Sequence, residues 1–164
     1  SRRAALASRS AMMRRPVLAV LGGSFDPPHI GHVLIPTYLL TRGLASHVLV
    51  APCWSHPFAK RMSPFLDRLT LTRLAMAVHG PQVEVSDIEL RLAETRDAAT
   101  PSYSYELLQA VAAAYPAYQV RLVVGSALGN RLSPLPSLRS RLRNMLATMS
   151  VTLFSTPSCP VYFL

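Results

Sequence analysis

Apolar residues along this chain fall into short unbroken runs, separated by stretches in which they recur every three or four positions. Residues 16–21 and 47–51 have the composition of buried strands, the second closed by Pro52, and residues 83–86 and 119–124 read the same way. Between the first two, a helix is expected from about His32 to Gly43. Gly43 is suited to a left-handed cap, and Pro36 falls within the first turns, where a missing donor costs least. A second helix is expected with Ser63 as N-cap and Pro64 at its first position. It carries Phe65, Leu69, Leu71, Leu74, Ala75 and Val78 at helical spacing up to Gly80. A third leads from residues 102–104 to about Tyr115, burying Leu107, Leu108 and Val111 before Pro116. Residues 91–100 are polar and read as a surface loop. Strands alternating with helices predict an α/β fold, a parallel sheet covered by helices with ligands at the carboxyl ends of its strands.

The alternation stops after Ser126. Residues 131–164 are rich in Ser, Pro and Arg and contain no Asp or Glu. They hold one weakly helical piece at 138–149 and two short strand-like pieces at 152–154 and 161–164. The chain is therefore expected to divide into an extension without fold (1–15), a folded domain (16–130) and an atypical basic tail (131–164). The extension has the Arg-, Ala- and Ser-rich composition of a mitochondrial presequence. Met12 and Met13, directly before the first strand, favour an upstream extension of the reading frame or a fragment boundary instead.

With 164 residues, half of them hydrophobic, the chain can bury one core. No apolar run reaches the roughly 18 residues of a membrane span, so no membrane partner is expected. The two cysteines, Cys53 and Cys159, have no partner at zinc spacing, which argues against a disulfide framework and a structural metal, and fits a reducing cytoplasm. The net charge of +9 raises the question of nucleic acid. Its distribution answers against a specific nucleic-acid partner: residues 1–15 and 107–164 carry five arginines each and no acid, whereas residues 16–106 hold seven basic and eight acidic side chains. The sequence specifies no oligomeric state.

Candidate chemistry concentrates in residues 21–32, Leu-Gly-Gly-Ser-Phe-Asp-Pro-Pro-His-Ile-Gly-His, a strand, a glycine turn and a helix start. Gly22 and Gly23 permit positive φ and close approach of the backbone to a ligand. Their N–H groups and those of the following helix can then converge on phosphate oxygens, with the imidazoles of His29 and His32 at the mouth of the cradle. Asp26 is read as holding the turn through its carboxylate rather than binding metal, since no second acid lies nearby in sequence.

This string resembles the signature of the nucleotidyltransferase superfamily, and most closely that of bacterial nicotinate-nucleotide adenylyltransferases; the similarity extends over about residues 17–129. The resemblance implies a Rossmann-like doubly wound parallel sheet, incomplete at its C-terminal end. It also implies an enzyme of NAD biosynthesis that joins ATP, with Mg²⁺, to nicotinate mononucleotide and releases pyrophosphate. On that likeness Gly22, Gly23, Ser24 and Phe25 are the backbone cradle, and His29 and His32 the catalytic contacts to the ATP phosphates. His-Pro-Phe-Ala-Lys at 56–60 is similar to the loop whose lysine approaches the triphosphate, so Lys60, the sole lysine of the chain, is assigned there. Ser102, Tyr103 and Ser104 resemble the helix entry that holds the pyridine nucleotide, and Gly125 and Ser126 the strand end on the adenosine side. Trp54 either packs in its loop or stacks on the base; Tyr103 either packs at the helix start or contacts substrate, with Ser102 and Ser104 as caps.

Two departures from the family pattern stand out. Ser126-Ala127-Leu128 occupies the place of an acid that often follows the strand-end glycine. A Ser/Thr-rich turn ending in Arg, which would bind ATP phosphates at a helix start, has no counterpart between 131 and 164. A truncated or frame-shifted product is therefore expected. The phosphate cradle does not choose the acceptor, so nicotinamide mononucleotide, phosphopantetheine or a cytidylyl acceptor is the enzymatic alternative. A catalytically inactive nucleotide-binding remnant is the non-enzymatic one. The string His-Ile-Gly-His also occurs in class I aminoacyl-tRNA synthetases, but the chain is too short for such an enzyme.

Overall fold

The computed structural model describes residues 15–55, 61–95, 104–125 and 161–163. Its elements in chain order are β1 (Val17–Gly23), α1 (Ile30–Thr41), β2 (His47–Pro52), α2 (Phe65–Met76), a 3₁₀ turn (Ala77–Gln82), β3 (Val83–Val85), α3 (Ile88–Glu94), α4 (Ser104–Ala114), β4 (Gln119–Gly125) and β5 (Val161–Phe163). The strands form one sheet in the order β3-β2-β1-β4-β5. The first four run parallel, and β5 adds antiparallel to β4, with Val161 opposite Gly125.

The apolar runs become central strands because both of their faces are covered. Leu18 and Val20 of β1, Leu49 and Ala51 of β2, and Val120 and Leu122 of β4 pack under α3 and α4 with Ile88, Leu107, Leu108 and Val111. The alternate residues Ala19, Leu21, Val48, Val50 and Val123 face the other way, toward Leu39 of α1 and Met76 at the end of α2. Each large apolar side chain buried in this way contributes about 1.5–3 kcal/mol. The chain moves from β1 outward to β2 and β3, then returns to the opposite flank of β1 with β4. That reversal opens a crevice at the carboxyl ends of β1 and β4, where ligands bind in sheets of this kind.

The expected α/β parallel sheet is present, with several shifts of boundary. The helix after β1 begins at Ile30, not His32, so Pro36 lies in its second turn and withholds the N–H that would close on the His32 carbonyl. Gly43 ends it as expected, at φ 64°: the Gly43 N–H bonds Leu40 O at 3.1 Å and the Leu44 N–H bonds Leu39 O at 2.9 Å, a Schellman arrangement. Ser63 is not the cap of α2. That helix starts at Phe65 after Pro64, without a side-chain cap, and its last turn passes into the 3₁₀ segment. The expected loop at 91–100 is helical at its start, since α3 runs to Glu94. Its alternating Ile-Glu-Leu-Arg-Leu hides the period; Ile88 and Leu92 meet the sheet while Asp87 and Arg91 form an i,i+4 ion pair at 3.2 Å. The pieces at 138–149 and 152–154 lie outside the described residues. No helix among the described residues is long and apolar enough to cross a membrane.

Candidate active site

The two glycines after the first apolar run are not a turn. Gly22 and Gly23 are the last residues of β1, paired with Ala51 and Pro52. The positive φ expected of them falls on Phe25, at 45°. Phe25 can hold that conformation because its ring is buried, 1% exposed, and lies over Gly23, where an added Cβ would come within 3.2 Å of the ring. The missing side chain at Gly23 thus makes room for Phe25, and Phe25 in turn supports the His32 ring at a centroid distance of 4.8 Å. A peptide between Asp26 and Pro27 in the cis form completes the turn into α1.

His29 and His32 are more tightly built in than the spacing implied. His29 is the N-cap of α1, and its Nδ1 accepts the Gly31 N–H at 3.2 Å; the Nδ1 of His32 accepts the His29 N–H, also at 3.2 Å. This is a capping box made of two imidazoles, each satisfying a helix N–H that otherwise has no partner. The bonding sets the tautomer. A ring nitrogen that accepts carries no proton, so both neutral rings bear it on Nε2 and keep that N–H for a ligand. The rings lie 3.9 Å apart at 36°, and His32 titrates below its ordinary value, first because it is half-buried and second because His29 is beside it. Gly31 is a further candidate that the sequence reading missed: a Cβ there would sit 3.0 Å from His29 Cε1 and 3.1 Å from Nδ1. Its signal was the glycine held between the two histidines.

The second wall follows β2. The Cys53 N–H bonds Gly23 O at 2.8 Å, joining the ends of β1 and β2. Trp54 comes next, 37% exposed, with its ring 5.3 Å from Phe65, so it packs on the start of α2 and still presents a face to solvent. Asp26 accepts the Ser63 N–H at 2.8 Å. Its carboxylate therefore joins two loops. Arg68, read from the sequence only as part of a helical stretch, is 1% exposed and gives Nη1 to Ser24 O at 2.7 Å, Nη2 to Cys53 O at 2.9 Å and Nε to Ser63 O at 2.9 Å. It knots together the three segments that border the crevice.

Gly125 ends β4 two positions beyond Val123, the partner of Leu21, which places it beside the end of β1. Ser104 is the exposed first residue of α4. Gly22, Gly23, Ser24, Phe25, His29, His32, Trp54 and Gly125 thus gather at the carboxyl ends of the strands. Lys60, Ser102, Tyr103 and Ser126 lie outside the described residues. Among the described residues, no three His, Cys, Asp or Glu side chains converge as a metal site would require. Chemically the crevice offers imidazole donors, a helix start and backbone N–H groups, a set suited to phosphate oxygens.

No protein-family model matches the chain. In sequence it is 38% identical over 112 residues to a probable nicotinate-nucleotide adenylyltransferase of Anaeromyxobacter dehalogenans (strain 2CP-C), covering 66% of this chain and 56% of that protein. It is 30% identical over 109 residues to a protein of the same name from Myxococcus xanthus (strain DK1622), covering 66% and 54%. The chain thus spans about half the length of the curated relatives it matches. Among solved structures it resembles the Plasmodium falciparum nicotinic acid mononucleotide adenylyltransferase complexed with NaAD, with TM-score 0.51, 16% identity, and coverage of 64% of this chain and 49% of that one. That likeness shows a shared fold, the Rossmann-like arrangement of strands and helices.

Proposed function

We propose that this chain, whose homologues are named nicotinate-nucleotide adenylyltransferase, transfers the adenylyl group of ATP to nicotinate mononucleotide. The 5′-phosphate oxygen of the mononucleotide forms a bond to the α-phosphorus as the bond from that phosphorus to the β-bridging oxygen breaks. Pyrophosphate leaves with the electron pair, and the deamido-NAD precursor remains. Homology and the paired imidazoles, both bonded through Nδ1 and so both donors at Nε2, support this reading together.

No covalent intermediate is involved, so the site acts by positioning and by stabilising charge. His32 and His29 donate to oxygens of the transferring phosphoryl group. Gly22, Gly23, Ser24 and Phe25 line the triphosphate, and Lys60 neutralises the leaving pyrophosphate. Trp54, Ser102, Tyr103 and Ser104 border the pyridine nucleotide; Gly125 and Ser126 border adenosine. Mg²⁺ enters with the triphosphate as part of the substrate, because such an ion keeps most of its ligands from phosphate and water. The substrates are small molecules of the cytoplasm.

The experiment is a pyrophosphate-release assay on the full chain with Mg²⁺, ATP and nicotinate mononucleotide, run beside nicotinamide mononucleotide, phosphopantetheine and cytidylyl acceptors. Turnover with nicotinate mononucleotide supports the proposal, and preference for another acceptor replaces it. Calorimetric binding of ATP without turnover with any acceptor would reduce the chain to a nucleotide-binding module.

A further inference from the structure

The knot at Arg68 does more than hold loops. Its Nη1 donates to the Ser24 carbonyl at 2.7 Å, and the Ser24–Phe25 peptide is trans. In a planar trans peptide the C=O and the following N–H point in opposite directions. A guanidinium that fixes the Ser24 carbonyl on its own side therefore turns the Phe25 N–H away from itself. Among the described residues that N–H has no acceptor. Phe25 stands at φ 45°, in the left-handed region, and its ring supports His32 at 4.8 Å, so this amide belongs to the residue directly beneath one of the two imidazole donors.

Arg68 is unusual in how its charge is met. The side chain is 1% exposed, and its three donor nitrogens go to main-chain carbonyls of Ser24, Cys53 and Ser63, with the Phe65 ring 5.5 Å from its carbon. Stability alone does not account for such a choice, since a buried cation is costly to desolvate and an apolar side chain of similar size is often as good or better. What the arginine supplies is direction. Its planar fork reaches three carbonyls from three segments at fixed angles, which neither lysine nor an aliphatic chain does.

We infer that Arg68 is a positioning residue: it orients the Ser24–Phe25 peptide so that the Phe25 N–H is a fixed donor to the phosphate oxygens bound beside His29 and His32. This rests on the phosphate-binding part of the function proposed above and adds to it the residue that sets the geometry of the backbone donor. The donor acts on any polyphosphate in the crevice, whichever acceptor substrate the enzyme uses.

The test uses the ¹⁵N-labelled chain, wild type and Arg68→Lys, titrated with pyrophosphate and observed by NMR. In wild type the Phe25 amide is expected to move downfield as pyrophosphate binds. In Arg68→Lys, with resonances elsewhere still dispersed as in a folded protein, that shift should vanish and the affinity should fall about tenfold or more, the equivalent of about 1.4 kcal/mol. An unchanged affinity with the same Phe25 shift in the variant would overturn the inference, as would a wild-type Phe25 amide that does not respond. Should the lysine variant not fold, the guanidinium protons of wild-type Arg68 carry the decision: they move together with the Phe25 amide if one peptide plane links them, and stay fixed if it does not. Failure of the adenylyl-transfer reading looks different, namely no pyrophosphate released from ATP in an assay of the same protein while the Phe25 response to pyrophosphate persists.

Discussion

The Nδ1 of His32 accepts the main-chain N–H of His29 while the two rings lie 3.9 Å apart, so one imidazole holds the backbone on which the other is mounted. In the proposed function, cap and chemistry share the same side chains at opposite nitrogens, and substitutions can separate them. Asparagine at position 29 keeps an acceptor for the Gly31 N–H, being among the best N-cap residues, but has nothing at the place of Nε2. His29→Asn is expected to melt within a few degrees of wild type, and His32→Ala to lose about 1 kcal/mol with its cap bond. Both should lower kcat by about 10²–10³, the usual cost of removing one oriented donor. Thermal denaturation beside the pyrophosphate-release assay checks the separation.

Gly31→Ala tests whether the glycine serves the helix or the imidazole. Alanine gains up to about 1 kcal/mol of helix propensity. Its Cβ, however, would lie 3.0 Å from His29 Cε1, and the ring must turn off its cap to make room. Loss of that cap costs about the same amount, so the expected denaturation midpoint is close to wild type while turnover drops at least tenfold. A variant as active as wild type would show that the ring tolerates the contact.

Acid should loosen the fold at the helix start. His32 titrates below 6.5 in the folded protein because of burial and then because of His29. The unfolded chain therefore binds more protons as pH falls through about 6.5, and stability present above that value is lost on acidification. The proton enters at Nδ1, the atom that accepts the His29 N–H, and expels the cap bond. Urea midpoints measured from about pH 8 down to pH 5 should decline in wild type and decline less in His32→Asn, which cannot titrate.

At the end of the sheet where β4 begins, Tyr115 donates to both oxygens of Glu84, at 2.9 and 2.8 Å. Burial and the adjacent carboxylate push its phenol up to about 12. A pKa raised on folding stabilises below the unfolded value near 10 and gives that stability up as pH rises through the folded one. Tyr115→Phe is expected to lose about 1 kcal/mol at neutral pH with kcat and KM unchanged. Ultraviolet titration of wild type should show one tyrosine still protonated after the exposed ones have ionised, and that late step should be missing from the variant.

Much of this architecture is legible in the residues themselves. Strands covered on both faces must be apolar throughout, so the runs containing Val20, Leu49 and Leu122 announce themselves, and Gly43 marks a helix end because few other residues accept its φ. The histidine pair is legible as two candidate phosphate donors but not as a capping box, which depends on the ring orientation the backbone imposes. Arg68 is hidden because its environment is assembled from carbonyls 44, 15 and 5 residues away in sequence, none of which has a side-chain signature. The same holds for Phe25: an aromatic residue between Ser and Asp gives no sign that it, and not the neighbouring glycines, takes the left-handed backbone. Asp26 was assigned to its own turn since sequence distance conceals Ser63.

The left-handed backbone at Phe25 costs about 1–2 kcal/mol for a residue with a side chain, and burial of its ring contributes about 1.5–3 kcal/mol. The two nearly balance, so the shape of the loop after β1 and the packing beneath it form a single local equilibrium rather than two independent properties. A fluctuation that withdraws the ring from the core also releases the loop. Heat should therefore inactivate the protein below its unfolding temperature, by a reversible sub-global opening in which the sheet stays intact and the His29 amide, otherwise held by His32 Nδ1, exchanges with solvent early.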